Sequence, residues 1–482
     1  MKPYCKLSSV THLLASLAAS AAIGLTPSAF ADGTVPNPTV TAIAYDAGLK
    51  HHPFMSTSLN LAAMGYVENE YQMTGIANIY AEDGKWDRDG QWGTKVAQAD
   101  VPYTTRMLVR RPADPAKFNG TVVVEWLNVT AQMDTDPIWG QGHTELLRDG
   151  YAWIGISAQT AGVKQLKYWD AQRYDALNLS DDSLSYDIFS QAAQAVRSQA
   201  ALVLGGLPFK NLIGGGESQS AFFMVTYVNA LQASAAQVYD GILIYSRFNN
   251  GAPIAKGGPA APYVAYIRSD NAIKVMQLET EQDVGMFNFS ASQQADTDHL
   301  RTWETAGTSH YDAYGTTAQL PQEQRDLPTL ANVPIGCKNP ENQLPFHYVF
   351  NSAVVAFTSW INSGQAPPHA PHIQLSFGGN IVRDQYGNAK GGIRLPEMEA
   401  PTAVNNYDNG AGHGGALSAF ACIFLGNSAP FDPATVAALY PTHHDYVSKI
   451  TRAANAALNA GFLLQPDYDE AVASAKSANV PE

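Results

Sequence analysis

"NLIGGGESQSAFFMVTYV", residues 211–228, decides how the rest of the chain is read. A short apolar segment runs through three glycines to a serine and then into a long apolar stretch. The pattern is that of a buried strand, a tight turn and a helix. Gly216-Glu217-Ser218-Gln219-Ser220 fits G-x-S-x-S, a variant of the G-x-S-x-G turn that stands a serine side chain on a sharp strand-to-helix corner. Residues two before and two after that serine face each other across the turn, so both must be small, and Gly216 and Ser220 are. The helix start beneath the turn adds positive potential where negative charge would develop. A phosphate-binding turn would need G-x-x-x-x-G-K-[ST], which this stretch lacks, and Glu217 stands where the anion would sit.

Working outward, "GTVVVEWLNVT" (120–130) and "GYAWIGISAQ" (150–159) are nearly continuous apolar runs, which suit parallel strands buried on both faces. "GQGHTELLRD" between them is helix-like. "SYDIFSQAAQAVRSQAALVLGG" (185–206) has helical spacing and ends at glycine. "YDGILIYS", "AIKVMQLET" and "HLRTWETAG" continue the strand series. Strands alternating with helices predict an α/β fold with a mostly parallel central sheet wrapped by helices. "GYVENEYQMTGIANIYA" (65–81) and "YTTRMLVRRP" (103–112) are expected as added N-terminal strands. After residue 330 the pattern changes. A helix is expected over 344–364, irregular strands and turns over "GNIVRDQYGNAKGGIRLP", and an amphipathic helix over 442–461. Its face is Val447, Ile450, Ala454, Ala457 and Leu458, and Gly461 stops it. The expected division is a core over 32–330 and an extension over 331–482 packed on it.

A serine on such a corner needs a base and an acid, and the chain order Ser…Asp/Glu…His supplies candidates. "KVMQLETEQDVGMF" (274–287) is a strand ending in acids. Asp283 is favoured because it lies clear of the strand, Glu281 is the alternative, and Glu279 finishes the strand. "HLRTWETAGTSHYDAYG" (299–315) ends in a small-residue loop carrying His310. His413, in the glycine loop "GAGHGGALSAF", is the rival base but has no strand before it. An imidazole beside the hydroxyl takes its proton, and a buried carboxylate holds the ring in the right tautomer. Oxyanion donors are expected from the backbone N–H of Gln219 and from the loop after residue 127, at Asn128 or Val129. Trp126, Trp139, Tyr168 and Trp169 are candidates for an apolar pocket wall and equally for the core. The adjacent pairs His51-His52 and His443-His444 point to different sides and do not chelate one metal. This chemistry calls for no metal or organic cofactor.

The 482 residues are 45% hydrophobic and 15% charged, a globular composition. Lys2 and Lys6, the apolar run "LLASLAASAAIGL" (13–25) and Ala29-Phe30-Ala31 predict a signal peptide over 1–31, hence export. Removing it takes away two lysines and no acids, so the net charge moves from −14 to −16. That balance argues against nucleic acid and anionic membrane surfaces as partners and disfavours highly anionic substrates; a small-molecule substrate is expected. No later run of 18 apolar residues predicts membrane insertion. Oligomeric state is not legible. Cys337 and Cys422 remain, and in an oxidising compartment they are expected as a disulfide worth about 3–4 kcal/mol.

"GESQSA", "ETEQDV" and "RTWETAGTSHYDAY" in series resemble a family of secreted bacterial α/β-hydrolase-domain proteins. So do "MSTSLNLAAMGYVENEYQMTGIANIY" near the start and "LYPTHHDYV" with "AGFLL" near the end. The resemblance runs over nearly the whole mature chain. It implies an α/β-hydrolase fold and carboxylic-ester hydrolysis, with Ser218 and His310 on the family's serine and histidine motifs. It places the acid within Thr280-Glu281-Gln282-Asp283.

Overall fold

The apolar runs become strands whose side chains feed two separate cores. In the computed structural model, which describes residues 35–232, 237–331, 336–413 and 415–481, nine strands form one sheet. They are β1 (Thr39–Ile43), β2 (Tyr66–Asp83), β3 (Gly93–Pro112), β4 (Thr121–Trp126), β5 (Ala152–Ile156), β6 (Asn211–Glu217), β7 (Gly241–Tyr245), β8 (Lys274–Thr280) and β9 (Leu300–Thr305). Their spatial order is β1-β2-β3-β5-β4-β6-β7-β8-β9. From β5 to β9 every neighbouring pair is parallel, whereas β1, β2 and β3 form an antiparallel meander joined antiparallel to β5. The expected leader at residues 1–31 lies outside the described residues.

Parallel neighbours need crossovers, and the helices Pro137–Arg148, Ser185–Val203 and Gln219–Thr226 provide them. Alternation along β4 then divides the interior. Val122, Val124 and Trp126 pack with Ile188, Phe189 and Ala192 of the helix Ser185–Val203 on one face. Val123 packs with Ile138, Leu146 and Trp153 on the other. That second face is closed by the helix Phe346–Ser363, through Phe346, Val349 and Phe350, and by Ala454, Leu463, Ala471 and Val472 near the C-terminus. Residues beyond 330 therefore share a core with the strands. The helix His443–Ala460 buries Ile450 and Ala454, packs Val447, Ala457 and Leu458 as partly buried neighbours, and ends on a left-handed Gly461.

The β2–β3 hairpin is longer than the sequence suggests because its distal half is exposed and weakly apolar. Its proximal half carries charge into the interior. Arg110 is fully buried, ion-paired with Glu68 at 2.8 Å and Asp136 at 2.6 Å, and its guanidinium lies over Trp139 and Trp153 at 4.5 and 4.3 Å. Arg106 bonds Glu70 at 2.7 Å and lies 3.5 Å from Asp134. Buried charges persist only when paired this fully.

Three helices differ from the sequence expectation. Ala313–Asp326 has Pro321 inside it and a polar composition, and Gln465–Ser477 is mostly polar, so neither shows a clear apolar stripe. Gly415–Leu425 falls on the segment expected as a glycine loop. Cys422 on this helix is bonded to Cys337, with Cα atoms 5.5 Å apart and 85 residues between them in sequence. The irregular strands around 373–393 are isolated bridges, Leu375 with Ile381 and Arg383 with Ala389, turned by left-handed Gly379 and Gly387. Among the described residues no helix is long and apolar enough to cross a membrane.

Replacing Cys337 by Ser should lower unfolding stability by about 2–4 kcal/mol, because the unfolded chain then regains the freedom of a long loop. Chemical denaturation under non-reducing conditions measures this, and wild-type protein treated with a reductant should match the variant.

Candidate active site

Parallel strands bring the C-terminal ends of β6, β8 and β9 to one edge of the sheet, where open α/β sheets place their sites. At the end of β6 the chain turns through Ser218 with φ 54° and ψ −112°, a conformation rare for a residue with a Cβ. The strain is held by the strand ladder on one side, where Ser218 N–H donates to the Tyr245 carbonyl at 3.0 Å, and by the helix Gln219–Thr226 on the other. A Cβ on Gly216 would meet the Ser220 Cβ at 2.9 Å, which is the steric reason for a small residue at both positions. Ser220 is fully buried and its hydroxyl has no partner among the described residues.

Ser218 Oγ lies 2.6 Å from His310 Nε2, and His310 Nδ1 lies 2.6 Å from Asp283 Oδ1. With Nδ1 donating to the carboxylate, Nε2 is left to accept from the serine hydroxyl. The Asp283 orientation is a product of its own helix start. Thr280 ends β8 and caps the short helix Glu281–Gly285, and Asp283 Oδ2 accepts from both the N–H and the hydroxyl of Thr280 at 2.7 Å. This reciprocal cap leaves Oδ1 for the imidazole. His310 is fixed in turn, its N–H donating to Gln282 Oε1 at 2.9 Å. Glu281, the other candidate acid, faces away. It accepts from Gly307 N–H at 2.6 Å and from Arg383 at 2.7 Å. Of the rival His413, the backbone pairs with Gly336 and the side chain is not among the described features.

One group near the histidine carried no signal beyond its place in the turn. Glu217 is buried, with Oε1 3.3 Å from His310 Nε2 and Oε2 accepting from Asn128 Nδ2 at 2.9 Å. Burial pushes its carboxyl up to about 7, His310 opposes this and Asp283 adds to it. For His310, burial alone would lower the pKa, but the charge and hydrogen bond of Asp283, with Glu217 behind them, raise it above the usual histidine value.

The expected oxyanion donors are placed unequally. Gln219 is the first helical residue, so its amide has no intrahelical carbonyl to meet. The backbone N–H of Asn128, by contrast, donates to the Thr135 carbonyl at 3.0 Å, and its side chain is spent on Glu217. Asn128 sits in a two-residue bridge with Thr135, which turns its amide inward. The neighbouring Val129 N–H points to the site and meets only the side-chain Oε1 of Gln219, at 3.3 Å. The four aromatic candidates are elsewhere. Trp126 is wholly buried and donates to Gln159, Trp139 packs under Arg110, Trp169 lies against Phe54, and Tyr168 is exposed. None lines a cavity at Ser218.

Two cavities meet at Ser218. A smaller one of about 270 Å³ has Met133, Pro137, Phe420 and Leu425 among its walls, together with His310 and Glu217. A larger one of about 710 Å³ has Gln159, Phe222, Phe248 and Asn249 among its walls. Phe424, from the helix Gly415–Leu425, forms part of both and lies 5.4 Å from the His310 ring. A hydroxyl, an imidazole and a carboxylate in this order, at the junction of two cavities, can transfer a proton from oxygen to ring nitrogen in a water-poor setting.

The family described as alpha/beta hydrolase domain matches residues 35–473, and the chain belongs to it. No curated protein matches the chain. Among solved structures it is similar to the rice cell wall degrading esterase LipA from Xanthomonas oryzae, at 14% identity and a TM-score of 0.26, over 44% of this chain and 51% of that one. It is similar also to an a/b serine hydrolase without lid from Xanthomonas campestris, at 8% identity and a TM-score of 0.28, over 63% and 99% of the two chains. A CE15 glucuronoyl esterase from Teredinibacter turnerae gives 10% identity and a TM-score of 0.28, over 51% and 62%. The chain thus spans about half the length of the Xanthomonas oryzae esterase.

Replacing Gly216 by Val should destabilise the protein by about 2 kcal/mol or more, since the added side chain must displace the helix start at Ser220. Urea unfolding measures it. Glu217→Gln removes a negative charge that favours protonated His310. The acid limb of a pH–rate profile for labelling by a fluorophosphonate should therefore move to lower pH. A limb that stays in place or moves up contradicts this.

Proposed function

We propose that this member of the alpha/beta hydrolase domain family is an exported serine hydrolase that cleaves a carboxylic ester through an acyl-enzyme. Family membership supports hydrolysis in general. The observation that carries the finer reading is the unbroken series from Ser218 Oγ to His310 to Asp283, with 2.6 Å at each step.

In this reading His310 Nε2 takes the Ser218 proton as Oγ attacks the ester carbonyl. The carbonyl oxygen becomes an oxyanion and is met by the Gln219 N–H. Val129 N–H is the second donor, and the incoming oxygen displaces the Gln219 side chain from it. His310 then passes the proton to the leaving alcohol oxygen, and the C–O bond breaks to leave an acyl-Ser218. Water deprotonated by His310 releases the acid and restores the serine. Asp283 holds the ring and stabilises the imidazolium. Glu281 has no part in this reading. It ties the β8–β9 corner to Arg383. The disulfide and the absence of a membrane-spanning helix among the described residues are compatible with export, which the N-terminal pattern suggests.

Fluorophosphonate should form one stoichiometric adduct on Ser218, mapped by peptide mass, and none in Ser218→Ala. Turnover of p-nitrophenyl acetate should fall at least a thousandfold in Ser218→Ala and His310→Ala. Asp283→Asn should lower kcat by several orders of magnitude, with KM little changed. If Glu281→Gln is the more damaging of the two acid substitutions, the assignment of the acid is wrong. Absence of any adduct on folded protein would sink the hydrolase reading.

A further inference from the structure

The larger cavity beside Ser218 is lined by side-chain amides arranged for a ligand. Gln159 is about 4% exposed, and its Oε1 accepts from Trp126 Nε1 at 3.1 Å and from Gln219 Nε2 at 2.9 Å. Two donors on one atom fix the orientation of that amide, so Oε1 faces the protein and Nε2 faces away from it. Among the described residues Gln159 Nε2 has no partner. Asn249, about 7% exposed, repeats the arrangement with the opposite sense. Its Nδ2 donates to the Tyr263 carbonyl at 2.6 Å, and its Oδ1 has no partner among the described residues. Both residues line the same cavity. A rigid donor and a rigid acceptor, each anchored by its inner half, are thereby held toward one space.

The rest of that wall narrows the class of ligand. Phe222 and Phe248, set edge to face with centroids 6.2 Å apart, supply apolar surface between the amides. The charged side chains at the cavity offer no buried counter-ion. Lys164 is exposed, and Asp182 accepts from the Thr160 N–H. Amide donors and acceptors spaced over aromatic faces match a molecule with hydroxyls around its edge and C–H groups on its faces, and they select against an ionic one. The smaller cavity is the more apolar of the two, with Met133, Pro137, Phe420 and Leu425 in its wall, though Gln319 and Glu323 also line it.

Resting on the serine-hydrolase reading above, we infer that the alcohol part of the ester is a neutral polyhydroxylated group, a sugar or polyol, bound by Gln159 and Asn249 in the larger cavity, while a small apolar acyl group enters the smaller one. Hydrolysis releases the polyol from that side with the proton that His310 delivers. The leaving oxygen is then the one next to the amide-lined wall.

The test compares 6-O-acetylglucose with hexyl acetate, two acetates of six-carbon alcohols. The wild-type kcat/KM should be at least tenfold higher for the sugar ester. In Asn249→Leu that ratio should fall at least tenfold. A second measurement needs no variant. Methyl glucoside should slow fluorophosphonate labelling of wild-type Ser218 in a saturable way, and hexanol at the same concentration should not. Normal labelling with equal or reversed ester preference, and no effect of methyl glucoside, would overturn the inference while leaving the serine reading intact. No labelling and no hydrolysis of either ester would overturn that reading and take this inference with it.

Discussion

The site depends on one strained peptide corner. Ser218 has a positive φ that a residue with a Cβ does not adopt without compensation, and the compensation is tertiary. β7 supplies an acceptor for its N–H, and Gly216 lets the helix start come within contact of the strand end. The hydroxyl is thereby lifted off the sheet edge. β8 and β9, parallel and in register with β6 through β7, deliver Asp283 and His310 to the same edge. Were the corner relaxed toward an ordinary helix start, the serine would sit in the first turn and the 2.6 Å approach to His310 would be lost.

The antiparallel N-terminal strands bear on the same geometry from the other side. Arg106 and Arg110 on β3 reach Asp134 and Asp136, which lie in the loop between β4 and the helix Pro137–Arg148. The same loop carries Asn128 and Val129 against the serine turn. Ser157, at the end of β5, adds a 2.5 Å bond to Asp134. Buried ion pairs of this kind are weak contributors to net stability but strong determinants of geometry, because removing one partner leaves a charge without water. This network holds the loop in place with the Val129 amide at the cleft.

The C-terminal segment contributes differently. Phe346 and Phe350 close one core, and Phe420, Phe424 and Leu425 wall the cavities. The bond from Cys422 to Cys337 anchors that walling helix. The helix itself was hidden in the sequence by its approach, "GAGHGG", which has the composition of a loop. After Ser418 the run is apolar because Cys422 is tied into the disulfide while Phe420, Phe424 and Leu425 wall the cleft. Phe420 is about half exposed for that reason.

What the sequence determined by itself was local and periodic. Continuous apolar runs marked strands buried on both faces, and G-x-S-x-S marked the corner. Chain order then limited the acid to a four-residue segment and the histidine to a loop after a strand. Long-range partners settled the rest. Glu281 and Asp283 lie two residues apart in one segment, and distant partners separate their roles: Gly307 and Arg383, the latter 102 residues away, take Glu281, while His310 meets Asp283. Asn128 and Val129 are adjacent, and the bridge to Thr135 turns one amide inward and leaves the other at the cleft. Trp126 went to one core because alternation on a doubly covered sheet leaves no side chain free at that depth, and Trp139, on the helix Pro137–Arg148, went to the other beneath Arg110. Side-chain direction at a strand end is set by what packs on it, and that information is carried by residues far along the chain.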